Sequence, residues 1–294
     1  MHILITDSGV GGLSVCAYAE RFFRTHGFEE PVRLTYVNAS PENDFGYNSM
    51  GSMQEKLEHF DHFLHIVTDR YAPDFIYIAC NTLSVLLQET QFFKNEHVPV
   101  RGIVETGVNR LFRDLNRSLE GVAMIFGTAT TIEAQTYPNM LKNLGIPETR
   151  IVSQACPGLA DTISEDRGGS KASAEIKKCV LAAIERLEVP ATSCLTFLAC
   201  THYGYRKELF SAALNEAGMQ TEILNPNEFV IDDLFGSNRG DLGDHGEPCD
   251  IDVEFVTRYR IPETALETIT LFLGDISPRT VHAFQNFTHA PDLF

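Results

Sequence analysis

The chain has 294 residues, 44% of them hydrophobic and 21% charged, with a formal net charge of −17 at pH 7. That length suggests roughly two domains and a substantial core, and the acidic balance argues against unaided binding to nucleic acid or to an anionic membrane surface. No stretch approaches the length of a membrane span. Met1-His2-Ile3-Leu4-Ile5-Thr6-Asp7 runs straight into a motif without a basic region or cleavage site, so neither a signal peptide nor an anchor is expected. The seven cysteines are scattered, often inside apolar runs. They point to free thiols in a reducing, cytoplasmic setting rather than to a disulfide framework.

In chain order, strands are predicted over 2–6, 33–37, 74–79, 100–104, 121–126, 150–154, 194–199, 221–224 and 253–257. Helical patterns lie between them over 11–25, 50–71, 82–94, 106–117, 131–144, 171–188, 204–217 and 263–273. This alternation predicts an α/β protein with mostly parallel sheets flanked by helices. Domain crossings are expected near Val98-Pro99 and around Thr201 to Arg206. A first domain would then comprise 1–97 plus 208–294, and a second 98–207. The segment 236–252, rich in Gly and Asp, reads as a solvated loop. The acidic run 241–252 within it does not complete a calcium-loop pattern. The residues after Ser277 carry no assignable pattern.

The first strand leads into Asp7-Ser8-Gly9-Val10-Gly11-Gly12-Leu13-Ser14. A strand running into glycines and then a helix brings backbone N–H groups close to an anion. The spacing is not that of a dinucleotide fingerprint. Asp7 ends an apolar strand at its expected mouth, as either a helix cap or a catalytic carboxylate. On the helix at 50–71, Phe60, Phe63, Leu64 and Val67 form the apolar stripe. His59, His62 and His65 recur every three residues and read as a solvated face, flanked by Lys56 and Asp69, rather than as a metal site.

Two later segments say nearly the same thing. Phe75-Ile76-Tyr77-Ile78-Ala79-Cys80-Asn81-Thr82 and Leu195-Thr196-Phe197-Leu198-Ala199-Cys200-Thr201-His202 are apolar runs ending in Ala-Cys and small polar residues. Each reads as a buried parallel strand delivering a cysteine to the end where open α/β sheets hold ligands. A thiol with an ordinary pKa of about 8.5 serves as base or acid near neutrality. Paired thiols therefore suit removal of a proton from one face of an atom and its return on the other. The N–H groups of Asn81-Thr82 and Thr201-His202, at predicted helix starts, are expected to lower thiol pKa values and to hold carboxylates. A zinc site from Cys80, Cys200 and His202 lacks the short CxxC spacing. Cys156, before Pro157, reads as structural because the proline removes a backbone N–H. Cys16, Cys179, Cys194 and Cys249 have no supporting context.

Together the Asp7, Cys80 and Cys200 segments resemble the signature segments of glutamate racemase, within the cofactor-independent aspartate/glutamate racemase superfamily. Gly127-Thr128-Ala129-Thr130-Thr131-Ile132, with Tyr137 following, is similar to a further family segment. The resemblance runs from Asp7 to about Leu224 in the family's order. It implies two similar α/β domains with the active site in the cleft between them, no cofactor and no metal. It also implies that Cys80 deprotonates the D-isomer with Asp7 assisting, and that Cys200 deprotonates the L-isomer with His202 assisting. Ser8, Asn81, Thr82, Thr131 and Thr201 match positions that bind the amino and carboxylate groups. Gly46-Tyr47-Asn48 stands where the family has Pro-Tyr-Gly, which makes Tyr47 and Asn48 substrate-contact candidates. It follows an enlarged segment from Asn38 to Phe45. Gly204 stands where the family often has Pro after its His-Tyr pair. The expected partner is a small amino acid, glutamate foremost, with D-glutamate going to bacterial peptidoglycan. Aspartate or another small amino acid is the alternative substrate, and a non-catalytic homologue the alternative class. No nucleic-acid or membrane partner is expected, and a homodimer is the assembly considered.

Overall fold

The computed structural model describes residues 1–26, 28, 30–42, 46–95, 98–117, 121–236 and 250–294. The described chain divides into two compact units, Met1–Ile103 with Asn227–Phe294, and Val104–Pro226.

The first unit is built on strands β1 (His2–Asp7), β2 (Val32–Asn38), β3 (Phe75–Ile78) and β4 (Val100–Gly102). The second contains β5 (Val122–Gly127), β6 (Ile151–Ala155), β7 (Ser193–Ala199) and β8 (Gln220–Leu224); β9 (Ile251–Thr257) and β10 (Thr288–His289) return to the first. The six-stranded sheet runs β10-β9-β2-β1-β3-β4 and the four-stranded one β6-β5-β7-β8. Every pairing is parallel. The central strands are apolar almost throughout because helices cover both faces. Thus β1 is buried from Ile3 onward and β5 along its whole length.

The helix Met53–Tyr71 shows how sequence becomes packing. Ser52 caps it by accepting from the Glu55 N–H at 3.1 Å, which satisfies an otherwise orphaned donor. Phe60, Phe63, Leu64 and Val67 are buried, while His59 and His62 are exposed. His65 is half-buried, its ring edge-on to Phe92 at 5.2 Å. Lys56, expected on the solvated face, is buried instead. It lies one turn before Phe60 and so shares the apolar stripe.

The nine predicted strands all form. The predicted helix 82–94 is broken into Asn81–Ser84, a 3-10 turn Leu87–Glu89 and Gln91–Asn95. Thr90 Oγ1, which accepts from the Phe93 N–H at 3.1 Å, restarts the last piece. The predicted helix 131–144 divides into Ala129–Glu133 and Thr136–Asn143 at Gln135, whose φ is 54°. Helices Leu159–Glu165, Pro226–Phe235 and Pro278–Gln285 are additional. Ser277 caps the last by accepting from the Thr280 N–H, so the tail after Ser277 is a capped helix followed by β10.

The unit boundaries fall at 103/104 and 226/227, later than the crossings read from sequence. β4 pairs with β3 and so stays in the first unit, while β8 pairs with β7 and so stays in the second. Of the expected 236–252 loop, residues 237–249 lie outside the described residues. Ile251 and Asp252 open β9, with Asp252 3.8 Å from the Arg33 guanidinium. No helix among the described residues is long and apolar enough to cross a membrane.

Candidate active site

Cys80 is positioned by the β1–β3 register. Thr6 pairs with Ile78, and the Ala79 N–H donates to the Thr6 carbonyl at 2.8 Å. The two strand ends therefore finish side by side, with Ser8 Oγ 3.1 Å from Cys80 Sγ. The Ser8 hydroxyl and the backbone N–H groups of Ser8 and Leu83 act to lower the thiol pKa. Yet Cys80 is only 4% exposed, and burial, followed by the charge of Asp7, pushes its thiol up to about 12. The expectation that N–H groups at the following helix would lower this pKa is corrected here. The lowering influences come from Ser8 and Leu83 rather than from Asn81 and Thr82, and desolvation and a neighbouring carboxylate outweigh them.

Asp7 is buried at the end of β1. A Cβ on Gly12 would lie 2.8 Å from the Asp7 Cβ and 2.9 Å from both Asp7 Oδ2 and the Ala79 Cβ. Only glycine lets the helix Leu13–His26 start this close to the carboxylate. The glycine turn is also pinned from outside. Tyr36 Oη donates to the Gly9 carbonyl at 2.8 Å and Ser14 Oγ to the Gly11 carbonyl at 3.0 Å.

Asn81 and Thr82, in the short helix after Cys80, are buried. Tyr47 belongs to the apolar cluster that contains Cys80, with its ring edge-on to Phe60 at 6.3 Å. Its phenol is pushed up by burial and then by Cys80. Asn48 beside it is exposed.

Cys200 follows β7 and opens the 3-10 turn Thr201–Arg206. It and Thr201 are buried. The turn is held at three points. The Tyr203 N–H donates to the Cys200 carbonyl at 3.1 Å, and Tyr203 Oη donates to the Cys156 carbonyl at 3.1 Å. Arg206 Nη2 donates to the Asp166 and Arg167 carbonyls at 2.7 and 2.8 Å. His202 is half-buried, and desolvation pushes its imidazole down to about 4, so it is neutral at pH 7. A Cβ on Gly204 would meet the Asn225 side chain at 2.6–2.9 Å. The departure from proline at 204 is thus matched by the buried amide that follows β8. Thr131 is buried in the helix Ala129–Glu133, its Oγ1 3.0 Å from Thr128 Oγ1.

The two units repeat one topology. The order β2-β1-β3-β4 within the first sheet is the order β6-β5-β7-β8 of the second. Aligning Cys80 with Cys200 through the registers pairs Ile78 with Leu198, and their neighbours Thr6 with Phe126. Asp7 then corresponds to Gly127, Ser8 to Thr128 and Ala39 to Cys156. The hydrogen bonds repeat as well: the Ala39 N–H donates to the Asp7 carbonyl at 2.8 Å, and the Cys156 N–H to the Gly127 carbonyl at 2.9 Å. The cysteines are therefore topological counterparts with unequal surroundings, because the carboxylate beside Cys80 has a glycine as its counterpart in the other unit. Thr128 lay inside the Gly127–Ile132 segment, but its correspondence to Ser8 came only from strand register; Asn225 carried no sequence signal. Among the described residues, no group of three or more His, Cys, Asp or Glu side chains is arranged to hold a metal ion.

No protein-family model matches the chain. The glutamate racemase of Syntrophus aciditrophicus is 29% identical over 233 residues, covering 78% of this chain and 76% of the relative. That of Streptococcus suis is 28% identical over 210 residues, covering 71% and 72%. The chain is similar to glutamate racemases. The fold agrees: glutamate racemase structures from Campylobacter jejuni and Bacillus anthracis superpose with TM-scores of 0.68 and 0.69, each at 20% identity. They cover 93% and 92% of this chain and 98% and 93% of their own. The structure from Francisella tularensis, in complex with D-glutamate, has a TM-score of 0.68 at 18% identity, covering 92% of this chain and 93% of its own. These neighbours share the architecture of two parallel-sheet α/β domains flanked by helices.

Proposed function

We propose that the protein is a glutamate racemase, an isomerase that interconverts L- and D-glutamate with Cys80 and Cys200 as its two acid/base groups and without a cofactor. The observation that carries this reading is the repeated placement of a buried thiol after an interior strand, once in each unit. Inverting a stereocentre requires a base on one face of the α-carbon and an acid on the other. In each direction one cysteine thiolate takes the α-proton and the other thiol delivers its own proton to the opposite face. The two sulfurs end the turnover with exchanged protonation states.

Cys80, with a thiol near 12, rests as the acid. It becomes a base when a substrate ammonium group offsets the Asp7 charge and the cost of burial. In this scheme Cys80 deprotonates the D-isomer and Cys200 the L-isomer. Neutral His202 accepts and returns a proton on the Cys200 side, and Asp7 does so on the Cys80 side. Ser8, Asn81, Thr82, Thr131 and Thr201 hold the amino and carboxylate groups, while Tyr47 and Asn48 shape the region that receives the substrate side chain. The similarity to glutamate racemases and the D-glutamate complex of the Francisella tularensis enzyme support glutamate as the substrate. D-glutamate for peptidoglycan is the corresponding product, made in the cytoplasm.

The test is to incubate the purified protein with each enantiomer of glutamate and of aspartate, with and without EDTA, and to follow optical activity. Racemisation of glutamate from both sides, unchanged by EDTA, is expected. Turnover of aspartate alone would move the substrate, and no turnover of any amino acid would overturn the reading.

A further inference from the structure

The returning strand β9 reaches the Cys80 region through one side chain. It pairs with β2 as far as Val37 and Val256, so the next residues, Asn38 and Thr257, come out side by side. On the other side of β2, Asn38 pairs with Asp7, and the Ala39 N–H donates to the Asp7 carbonyl at 2.8 Å. Asn38 is fully buried, and its amide is used at both ends. Oδ1 accepts from the Ser40 N–H at 2.9 Å, and Nδ2 donates to Tyr259 Oη at 2.9 Å. The first bond closes a tight turn. It also fixes which way the amide points, because only its oxygen can accept from a backbone N–H.

Tyr259 is itself held in place. Thr257 Oγ1 donates to the Tyr259 carbonyl at 3.2 Å and accepts from the Tyr259 N–H at 3.4 Å. Thr257 is buried, and its carbonyl accepts from the Ala290 N–H at 2.8 Å. The turn that Asn38 closes stands against the Cys80 region. Ala39 belongs to the apolar cluster that contains Tyr47 and Cys80. Ser40 Oγ donates to the Glu42 carbonyl at 3.0 Å and lies against Gly46, where an added Cβ would stand 3.2 Å from it. Gly46 directly precedes Tyr47. A buried amide donor that loses its acceptor is costly, so the position of this turn depends on the Tyr259 hydroxyl.

We propose that Tyr259 is a positioning residue. Acting through Asn38, it fixes the Ala39–Ser40 turn against Tyr47 and Cys80, and so sets how the substrate side chain is received. It takes no part in the proton transfers. The substrate in this inference rests on the glutamate reading, whereas the clamp rests on the hydrogen bonds alone.

Tyr259→Phe in the full chain keeps the ring and removes the hydroxyl, and two measurements follow. The first is peptide-resolved alkylation by iodoacetamide, which needs no turnover. Cys80 should react about fivefold faster, while Cys194, buried in the other unit, keeps its wild-type rate. Equal acceleration at both cysteines, or none at Cys80, would overturn the proposal. The second is kinetics with each glutamate enantiomer. KM should rise about fivefold with kcat held within about twofold. A fall in kcat at unchanged KM would mark a merely structural loss and overturn it. Asn38→Ala should raise KM at least as far, and adding Tyr259→Phe to it should raise KM no further. Full additivity would show Tyr259 acting by another route and would also overturn it. If the wild-type chain turned over no glutamate, the racemase reading would fail, and the alkylation rates would still decide the clamp.

Discussion

Cys80 sits under two opposing local influences, which single side-chain changes separate. Ser8 Oγ, 3.1 Å from the sulfur, acts to lower the thiol pKa, and the Asp7 carboxylate acts to raise it. Ser8→Ala removes a hydrogen bond worth about 1 kcal/mol, so alkylation of Cys80 by iodoacetamide should slow about fivefold at mildly alkaline pH. Asp7→Asn removes the repelling charge and should accelerate it. Peptide-resolved alkylation rates check both, and movement in the same direction would contradict the stated balance. His202 gives a second prediction at this scale. Its imidazole has an ordinary pKa of 6.5 and is held near 4 in the fold. Between those values the unfolded chain binds more protons than the folded one, so stability falls as pH drops through this window. Thermal unfolding midpoints should decline less from pH 6.5 to pH 4 in His202→Gln than in the wild-type chain. Both cysteines were legible because an apolar run ending in Ala-Cys before polar residues is a strong local pattern. The raised pKa of Cys80 was not, because burial is a property of the packed structure.

At the scale of elements, two close contacts set the turns beside the thiols. The helix Leu13–His26 begins against Asp7 only because position 12 has no side chain. Gly12→Ala should cost about 1–3 kcal/mol through overpacking, measured by urea unfolding, and should displace Asp7 with a corresponding loss of activity. Gly204→Ala meets the Asn225 amide in the same way, and pairing it with Asn225→Ala should recover part of the loss. The glycines were visible in the sequence, but the atoms they admit were not, since Asp7 and Ala79 approach Gly12 from separate strands. The same limit explains the broken helices. The period of apolar residues over 82–94 persists through a 3-10 turn, and only the Thr90 side-chain hydrogen bonds mark the restart. Lys56 was misread because its charge obscured its place on the stripe of Phe60 and Phe63.

At the scale of the whole chain, the parallel strands were readable because each is a short apolar run between helical patterns. The two-residue β10 offered no such run. Unit boundaries depend on which sheet a strand joins, and pairing is a long-range property, so β4 and β8 shifted both crossings. The shared order of β2-β1-β3-β4 and β6-β5-β7-β8 was visible in sequence only at the two cysteine segments. That repeat places one buried thiol after an interior strand in each unit, which is the basis of the two-base proposal. Replacing Cys80 or Cys200 by Ala should lower racemisation by about 10²–10⁴-fold, the usual contribution of a positioned acid or base. The most direct measurement is the initial reaction of each glutamate enantiomer in D₂O, with deuterium at the α-carbon located by mass spectrometry after separating the enantiomers. The two-thiol account predicts deuterium in the newly formed enantiomer and none in the recovered substrate, from either starting side. Early deuterium in the recovered substrate, or protium retained in the product, would contradict it.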